Sequence, residues 1–235
     1  MFKYGQYCPI AKAMEVVGDR WTLLIVRDMM TGTAHFNDLE RGLPGISRGL
    51  LADRLRRLER TGVVEKRTQA GGRHRTEYHL TAAGAELSPV INALLVWGAT
   101  WAFEEPAPTD LDPLLLLWWM RNSVRVDQVP DHRVVVQFDF NGAQVVTYWL
   151  VITRDDTSLC LSHPGFDINV LVTADLATFF QIWLGRLSIA QAQNEGSVAI
   201  DAIPALAQGF RTWFTYSLAA PTVRTIHSTV RAPHA

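Results

Sequence analysis

Residues 47–80 read SRGLLADRLRRLERTGVVEKRTQAGGRHRTEYHL, and this stretch decides the fold of the first half of the chain. Ser47 is a favourable helix N-cap because its hydroxyl can accept a hydrogen bond from the first turn. Three leucines then follow at the i, i+4 and i+7 spacing of one buried helical face: Leu51, Leu55 and Leu58. The pattern predicts a helix from Ser47 to about Arg60, ended by Thr61-Gly62.

After Gly62 the apolar period changes from that of a helix to that of a strand. Residues 63–67 and 75–80 predict two antiparallel strands, and Ala70-Gly71-Gly72 predicts the turn between them. Residues 41–75 hold ten basic and three acidic residues, a net charge of +7, whereas the whole chain has a net charge of −1. A capped basic helix followed by a basic hairpin is therefore the central element of this half.

Three shorter helices are predicted before the capped helix. Pro9 lies at a favourable first-turn position of the first helix, Asp19 is expected to cap the second, and residues 35–40 form the third. A long helix is predicted over residues 82–104, after the hairpin. This order of elements is typical of a winged helix-turn-helix, so the sequence predicts a mainly α domain with a β-hairpin wing over residues 1–105.

Such an arrangement suits double-stranded DNA. A helix about 10–12 Å wide fits the major groove, where its small polar first turn can approach base edges. The predicted DNA-binding residues on the helices are His35, Asn37, Ser47, Arg48, Gly49, Ala52, Asp53, Arg56 and Arg57. The predicted DNA-binding residues on the hairpin are Arg73, His74 and Arg75. A basic hairpin tip is suited to the minor groove or to phosphates. Charge alone would also fit a solvated basic surface.

About residues 5–102 resemble the HxlR-type regulators, which are relatives of the MarR winged-helix family. The most specific element is Gly18-Asp19-Arg20-Trp21, and the similarity continues through Phe36-Asn37-Asp38-Leu39 and Gly62-Val63-Val64. The resemblance implies a dimer that places the capped helix and the wing on palindromic operators. His35 stands where the family often has arginine, which implies a weaker or pH-sensitive phosphate contact.

The helix predicted over residues 82–104 has an apolar face wider than one core contact needs. Its apolar residues are Leu87, Val90, Ile91, Leu94, Leu95, Trp97 and Trp101. Either a second copy of the chain or the chain's own C-terminal domain could cover this face. A homodimer is the preferred interpretation, because two half-sites about one DNA turn apart raise both affinity and specificity.

The chain has two cysteines, too few for a disulfide framework, which indicates a reducing compartment. Cys8 directly precedes a predicted helix, whose positive N-terminal dipole favours the reactive thiolate. Some HxlR-type proteins sense thiol stress through a cysteine resembling it. Cys8 is therefore a redox candidate, with a small core residue as the alternative, whereas Cys160 lies in an alternating strand segment and is interpreted as packing.

Residues 104–108 predict a linker, and residues 110–220 predict a separate α+β domain. Its predicted helices are 110–121, 175–184, 188–194 and 204–218, and its predicted strands are 133–140, 144–153, 157–161, 168–172 and 197–201. Asn141-Gly142 between the first two strands predicts a hairpin. Residues 221–235 are predicted to form a flexible tail.

This second domain is rich in aromatic side chains, which can line a cavity for an apolar small molecule, form an interface or pack as an ordinary core. The candidates for a ligand pocket are Trp118, Trp119, Phe138, Phe140, Trp149, Phe180, Trp183, Phe210 and Trp213. About residues 167–218 resemble the sterol-carrier-protein lipid-binding family, which implies an apolar tunnel. Ser197 and Ile200 depart from that family's pattern and leave the ligand type open.

No catalytic, cofactor or metal motif is found, and the seven histidines lack metal-ligand spacing. Asp155-Asp156 is interpreted as a hairpin turn rather than a catalytic carboxylate pair. Residues 1–12 lack the apolar segment of a signal peptide, and the most apolar run, residues 114–120, is too short to span a bilayer. We therefore expect a cytoplasmic transcription regulator without enzyme activity, cofactor or membrane partner. The alternatives are a thiol-based redox regulator acting through Cys8 and a lipid-binding protein that uses the winged helix for assembly.

Overall fold

The first six elements follow the order that the sequence predicts. The computed structural model describes residues 3–69, 75–142 and 145–230, and the chain divides into two compact units, Met1–Leu94 and Leu95–Ala235. The elements of the winged region are α1 (Pro9–Val17), α2 (Thr22–Met30), α3 (Phe36–Gly42), α4 (Arg48–Arg60), β1 (Val64–Gln69), β2 (Arg75–Leu80), α5 (Ala82–Ala85) and α6 (Ser88–Trp101).

The core of the first unit joins its helices to the hairpin. The three leucines predicted as the inner face of α4 are buried, and they belong to one cluster with Ile25 of α2 and Leu39 of α3, both 0% exposed. The Leu50 amide donates a hydrogen bond to Ser47 Oγ (3.3 Å), which confirms the predicted N-cap. Burial of one side of α4 leaves its opposite side facing outward.

The hairpin is a two-stranded antiparallel sheet, extended at its root by the segment before α3. β1 and β2 pair in a register that places Val64 opposite Leu80. The Tyr78 amide donates to the Ala34 carbonyl (2.8 Å), and His35 forms an isolated bridge with Glu77. The wing is thereby tied to the start of α3. The predicted turn at residues 70–72 lies outside the described residues.

Two expectations for this region are wrong in detail. Asp19 does not cap α2, because Trp21 occupies the N-cap position with a left-handed φ of 81° and the Asp19 carboxylate faces arginine side chains instead. The long helix predicted over residues 82–104 is interrupted at residues 86–87. Thr81 caps the separate short helix α5, accepting from the Gly84 amide (3.2 Å).

The second unit is the α+β arrangement that the sequence predicts. A short 3-10 turn (Pro108–Asp110) precedes α7 (Pro113–Arg121), β3 (Val134–Asn141), β4 (Val146–Ile152), β5 (Thr157–Cys160), β6 (Val170–Asp175), α8 (Leu176–Trp183), α9 (Ile189–Asn194), β7 (Val198–Ala202), α10 (Pro204–Phe210) and α11 (Ala220–Val230). The strands form one sheet in the order β5-β4-β3-β6-β7. β3 and β6 run parallel, and the other neighbours are antiparallel.

Residues alternate between the two faces of this sheet. Val134, Val136, Phe138 and Phe140 of β3 are at most 1% exposed and pack with side chains of the helices in one core cluster. The register places the odd-numbered residues of β3, β4, β6 and β7 on the opposite face, together with Ser158 and Cys160 of β5, and none of them belongs to that cluster. The helices therefore cover one face and leave the other open.

The end of the second unit differs from the prediction in two places. The helix expected over residues 204–218 ends at Phe210, and the tail expected from Pro221 is helix α11 as far as Val230. Ala220 packs against Gly185, which has a left-handed φ of +77° and where an added Cβ would lie 2.8 Å from the Ala220 carbonyl oxygen. This close approach, with Val223 at 5% exposure, holds the start of α11 on the unit. Residues 231–235 lie outside the described residues.

Candidate nucleic-acid interface

The outward side of α4 carries several of the predicted DNA-binding residues. The exposed ones are Ser47, Arg48, Gly49, Asp53 and Arg56, and Ala52 is half-buried. The Arg48 and Arg56 side chains are 64% and 66% exposed. An added Cβ at Gly49 would meet no atom within 4 Å, so the backbone of the first turn is accessible. This side of the helix is open to a large partner.

Arg48 is held in place by side chains of α3. Its guanidinium donates to the Glu40 carboxylate and to Asn37 Oδ1 (3.1 Å), and its Cζ lies 5.0 Å from the centroid of the Phe36 ring. These contacts hold the planar guanidinium group in one orientation, in which it can donate hydrogen bonds to two neighbouring acceptor atoms. Asn37, also a predicted contact, is exposed beside it. Glu40 was missed because a carboxylate eight positions before an arginine, in another helix, gives no local sequence signal.

Asp53 places a negative charge on this otherwise basic side. Its Oδ1 lies 3.6 Å from Arg56 Nη2 and its Oδ2 lies 3.3 Å from Arg54 Nη1. A carboxylate can accept a hydrogen bond from the cytosine amino group, and it repels phosphates. Asp53 therefore gives this side of α4 an acceptor among its cationic donors.

Arg57, which the sequence analysis placed near the DNA-facing side, points into the first unit. Its side chain is only 16% exposed, and its guanidinium donates to the Asp19 carboxylate and to the Glu15 carbonyl. Arg57 lies next to Arg56 on the helix, and its long side chain reaches the turn between α1 and α2. We correct the earlier assignment and leave Arg57 out of the candidate interface.

Asp19, Arg54 and Arg57 form what we call the Asp19 cluster. Arg54 Nη1 lies 3.4 Å from Asp19 Oδ2, so one carboxylate faces two guanidinium groups. Within the described residues, the buried Nε atoms of both arginines lack a hydrogen-bond partner. The cluster joins the α1–α2 turn to the second half of α4 and thereby fixes the direction of the helix.

His35, predicted to contact phosphate, lies at the root of the wing. Its Nδ1 is 3.4 Å from the Thr76 carbonyl oxygen and its Nε2 is 4.0 Å from Glu77 Oε1. His79 Nε2 lies 3.0 Å from the other oxygen of Glu77. The ring therefore faces β2. Arg73 and His74 lie outside the described residues, and Arg75 is the first residue of β2.

Exposed apolar side chains line one stripe of α6. Val90, Leu94, Trp97 and Trp101 recur at i, i+4, i+7 and i+11 and are 44%, 47%, 60% and 76% exposed. The stretch Ala82–Trp101 is long and apolar enough to cross a membrane by length and composition alone, and 11% of it is buried. Exposed apolar stripes of this kind are typical of interaction surfaces.

The predicted redox candidate Cys8 is the N-cap residue of α1 and is half-buried. Its side chain makes no capping hydrogen bond. Cys160 is likewise half-buried, and it lies opposite Trp149 on the open face of the sheet rather than in the core. Within the described residues, no group of three or more histidine, cysteine, aspartate or glutamate side chains is placed to hold a metal ion.

The aromatic residues predicted to line a ligand pocket mostly fill the core of the second unit. Those at most 6% exposed are Trp118, Phe138, Phe140, Phe180, Trp183, Phe210 and Trp213. Phe138 packs against the Phe140, Phe179 and Phe210 rings with centroids 5.9, 5.9 and 6.2 Å away. A cavity lined by Trp183, Phe210 and Tyr216 measures about 10 Å³, room for about one water molecule. At these residues the rings occupy the space themselves, which is the ordinary core that the sequence analysis gave as an alternative to a pocket.

Two of those candidates lie elsewhere. Trp119 is half-buried against the core cluster, and Trp149 is half-buried on the open face of the sheet. The Asp155-Asp156 pair lies in the turn between β4 and β5, as predicted, where the Asp156 carbonyl accepts from the Thr153 amide (2.9 Å).

Comparisons with known proteins agree with the geometry of the first unit. The sequence model of the HxlR-like helix-turn-helix family matches residues 16–106. The HTH-type transcriptional regulator sll1512 of Synechocystis is 33% identical over 110 residues, covering 47% of this chain and 82% of its own length. YvaP of Bacillus subtilis, also an HTH-type transcriptional regulator, is 34% identical over 98 residues, covering 41% of this chain and 91% of its own.

Other relatives share the same part of the chain. The regulator Rv3095 of Mycobacterium tuberculosis is 42% identical over 89 residues, covering 38% of this chain and 56% of its own length. Among solved structures, the reduced form of the regulator YodB from B. subtilis has 30% identity and a TM-score of 0.38, covering 41% of this chain and 96% of that chain. Residues 107–235 lie beyond the end of the family match.

Proposed function

The chain belongs to the HxlR-like helix-turn-helix family, and from this premise we propose that it binds double-stranded DNA as a homodimer and thereby regulates transcription in the cytoplasm. The observation that carries the proposal is the outward side of α4. One side of this capped helix is buried by leucines, and the other presents small polar and cationic residues that nothing in the first unit covers.

The first turn of α4 is the part suited to base edges. Gly49 leaves its backbone accessible, and Ser47 and Arg48 lie beside it. An arginine fork donates well to the paired acceptors of guanine in the major groove. Asn37 would enter the major groove together with Arg48, because the two side chains are hydrogen-bonded (3.1 Å). Arg56, two turns further along, is suited to a phosphate.

The wing supplies the second part of the proposed interface. Arg73, His74 and Arg75 stay predicted contacts on the basis of their charge and place in the sequence. The hydrogen bond from Tyr78 to Ala34 supports their placement, because it fixes the root of the wing beside α3. With His35 paired to Glu77, we propose that His35 supports the wing rather than contacting phosphate directly.

The apolar stripe of α6 supports a homodimer. Burying a large apolar side chain contributes about 1.5–3 kcal/mol, so four such residues favour association strongly. A second copy is the occupant that also explains the DNA-binding side, since two α4 helices can read two half-sites of a palindrome.

The test is selection of bound genomic fragments, followed by gel-shift titration at two salt concentrations. We expect a palindromic site whose affinity falls steeply as salt rises, because arginines displace counterions from the phosphates. Arg56→Glu should weaken binding at least about ten-fold. Arg211→Glu, the same charge change in the second unit, is the matched control and should leave affinity unchanged. Weak binding that is indifferent to sequence would contradict the proposal.

Control by an apolar ligand and control by Cys8 stay predictions. Control by an apolar ligand would require the rings around the 10 Å³ cavity to move apart so that the ligand fits between them. The second is tested by Cys8→Ser: a regulator whose response to oxidant survives this change does not sense through Cys8. Because Cys8 starts α1 and not α4, the substitution should leave DNA binding without oxidant intact.

A further inference from the structure

A chain of hydrogen bonds crosses two central strands on the open face of the second unit's sheet. Trp149 Nε1 donates to Gln137 Oε1 (3.0 Å), and Gln137 Nε2 donates to both oxygens of Asp139 (3.0 and 3.1 Å). Thr147 Oγ1 donates to Asp139 Oδ1 (2.8 Å). Because Gln137 lies directly opposite Trp149, the first bond draws the indole across the sheet and fixes its orientation beside the carboxylate.

Asp139 has hydrogen-bond donors but no counter-charge. Its three contacts come from neutral groups, and across residues 3–69, 75–142 and 145–230 no ion pair within 4.0 Å involves its carboxylate. The other outward strand positions supply no lysine or arginine either: Val135, Gln137, Thr147, Trp149, Val151, Ser158, Cys160, Leu171, Thr173, Ala199 and Asp201. These strand positions therefore carry negative charge at Asp139 and Asp201, whereas Arg133, just before β3, lies over the Phe166 ring (3.9 Å).

The Trp149 indole lies diagonally across the β3–β4 pair from this carboxylate. The Trp149 ring makes an edge-to-face contact with the His163 ring, with centroids 5.7 Å apart and planes at 72°. His163 belongs to the segment that joins β5 to β6, and this segment returns to β3 through the Asn169 amide and the Val135 carbonyl (2.9 Å). Although Val135 points outward, it is only 1% exposed. The segment therefore closes the Val135 end of the face, while Asp139 and Gln137 are half-buried.

We propose that Asp139, Gln137 and Trp149 form a binding site for an organic cation, an ammonium or guanidinium group. Asp139 supplies the counter-charge, the indole supplies an electron-rich aromatic face, and Gln137 holds both in place. An anion would be repelled by Asp139 and Asp201. An apolar ligand would strip water from the carboxylate without compensation. A symmetric contact with a second copy would bring two acidic faces together.

The test follows the indole N–H signals of the full-length protein, labelled with ¹⁵N, during titration with benzyltrimethylammonium chloride. Trp149→Phe identifies the Trp149 signal among the eight tryptophans. We expect a saturable shift of this signal at concentrations on the order of millimolar, because one ion pair and one cation–π contact are made on an open surface. Asp139→Asn keeps an oxygen acceptor for Thr147 and should weaken binding at least about ten-fold.

Two controls keep the result interpretable. Asp131→Asn removes a carboxylate of the same unit that is already paired with Arg154, and it should not change the affinity. Benzyl alcohol, which is neutral, should leave the Trp149 signal unmoved. An equal affinity in Asp139→Asn, a shift that never saturates, or an equal response to benzyl alcohol would overturn the proposal, whether or not the protein binds DNA.

A second titration identifies the source of the cation. The probe is the peptide acetyl-Gly-Gly-Arg-Gly-Gly-amide, compared with its citrulline counterpart, which lacks the charge. Tighter binding of the arginine peptide than of the ammonium supports the site and indicates a side chain of a protein partner. Weaker binding of the peptide supports the site and indicates a free amine. Equal binding of the arginine and citrulline peptides contradicts a cation site.

Discussion

Replacing Asp19 by asparagine tests whether the Asp19 cluster fixes α4. The change removes the one carboxylate that faces both Arg54 and Arg57, so Arg57 keeps only its bond to the Glu15 carbonyl and Arg54 keeps only Asp53. Breaking a fully buried ion pair from one side costs about 3–5 kcal/mol. The side chains of Arg57 and Arg54 are 16% and 20% exposed, and that of Asp19 is 31% exposed, so solvent screens part of the interaction. We therefore expect a loss of about 2 kcal/mol in unfolding free energy.

A double-mutant cycle isolates the pair. The variants Asp19→Asn, Arg57→Gln and their combination are unfolded in urea, where 2 kcal/mol corresponds to about 1 M in midpoint if the slope is about 2 kcal/mol per M. We expect a coupling energy of about 1–2 kcal/mol. The matched control is the cycle for Asp53 and Arg56, an exposed pair of α4 at 3.6 Å, with an expected coupling below about 0.5 kcal/mol.

The reasoning is refuted if the Asp19–Arg57 coupling is no larger than that of the exposed pair. A functional measurement supplements the stability data. Asp19→Asn should weaken operator binding because α4 loses its fixed direction. The dependence of affinity on salt should keep its slope, because Asp19 and Arg57 do not neutralise phosphates.

The α6 stripe, the α5 glycine and a buried carboxyl of α2 each give a further measurable expectation. Trp97→Glu places a charge in the proposed dimer contact, so sedimentation should show a folded monomer. A dimer that persists in this variant would contradict a dimer contact through the α6 stripe. Gly84→Ala puts a Cβ 2.2 Å from the Val63 carbonyl oxygen and should lower the unfolding free energy by about 2 kcal/mol in a urea titration. Gly49→Ala is the control: its added Cβ meets open space, so the unfolding free energy should change by less than about 1 kcal/mol. Burial raises the pKa of Asp28 above 3.8 despite the charge of Arg27, so the folded state binds the proton more tightly than the unfolded state. Unfolding free energy should therefore rise as pH falls from the raised pKa to 3.8, and Asp28→Asn, compared in urea at pH 7 and pH 4, should lack this gain.

Local signals account for what the sequence predicted well. The Ser47 cap and the leucine spacing of α4 depend on neighbours within two turns, and both are present in the structure. The assignment of Arg57 failed for the opposite reason. Arg56 and Arg57 are adjacent on the helix, and only the position of Asp19, 38 residues earlier, decides which one turns inward.

The second unit shows a different limit. The aromatic content of residues 110–220 fits a packed core as well as a lined cavity, because composition does not say whether rings contact each other or a ligand. The choice depends on ring contacts such as those of Phe138, made between strands and helices far apart in the sequence. The end of the chain was misassigned because Ala220 is held by Gly185, a contact that no periodicity reveals.

The pairing of Arg48 with Glu40 has a consequence for how quickly a target site is found. The Arg48 guanidinium must give up its contact with Glu40 before it binds a phosphate, which costs at most about 1 kcal/mol because the Arg48 side chain is 64% exposed. Only a pair of acceptors with the right geometry replaces the hydrogen bonds that Arg48 gives up. In the proposed DNA complex, Glu40 would compete with DNA for the Arg48 guanidinium, and this competition would shorten each stay on a non-target sequence.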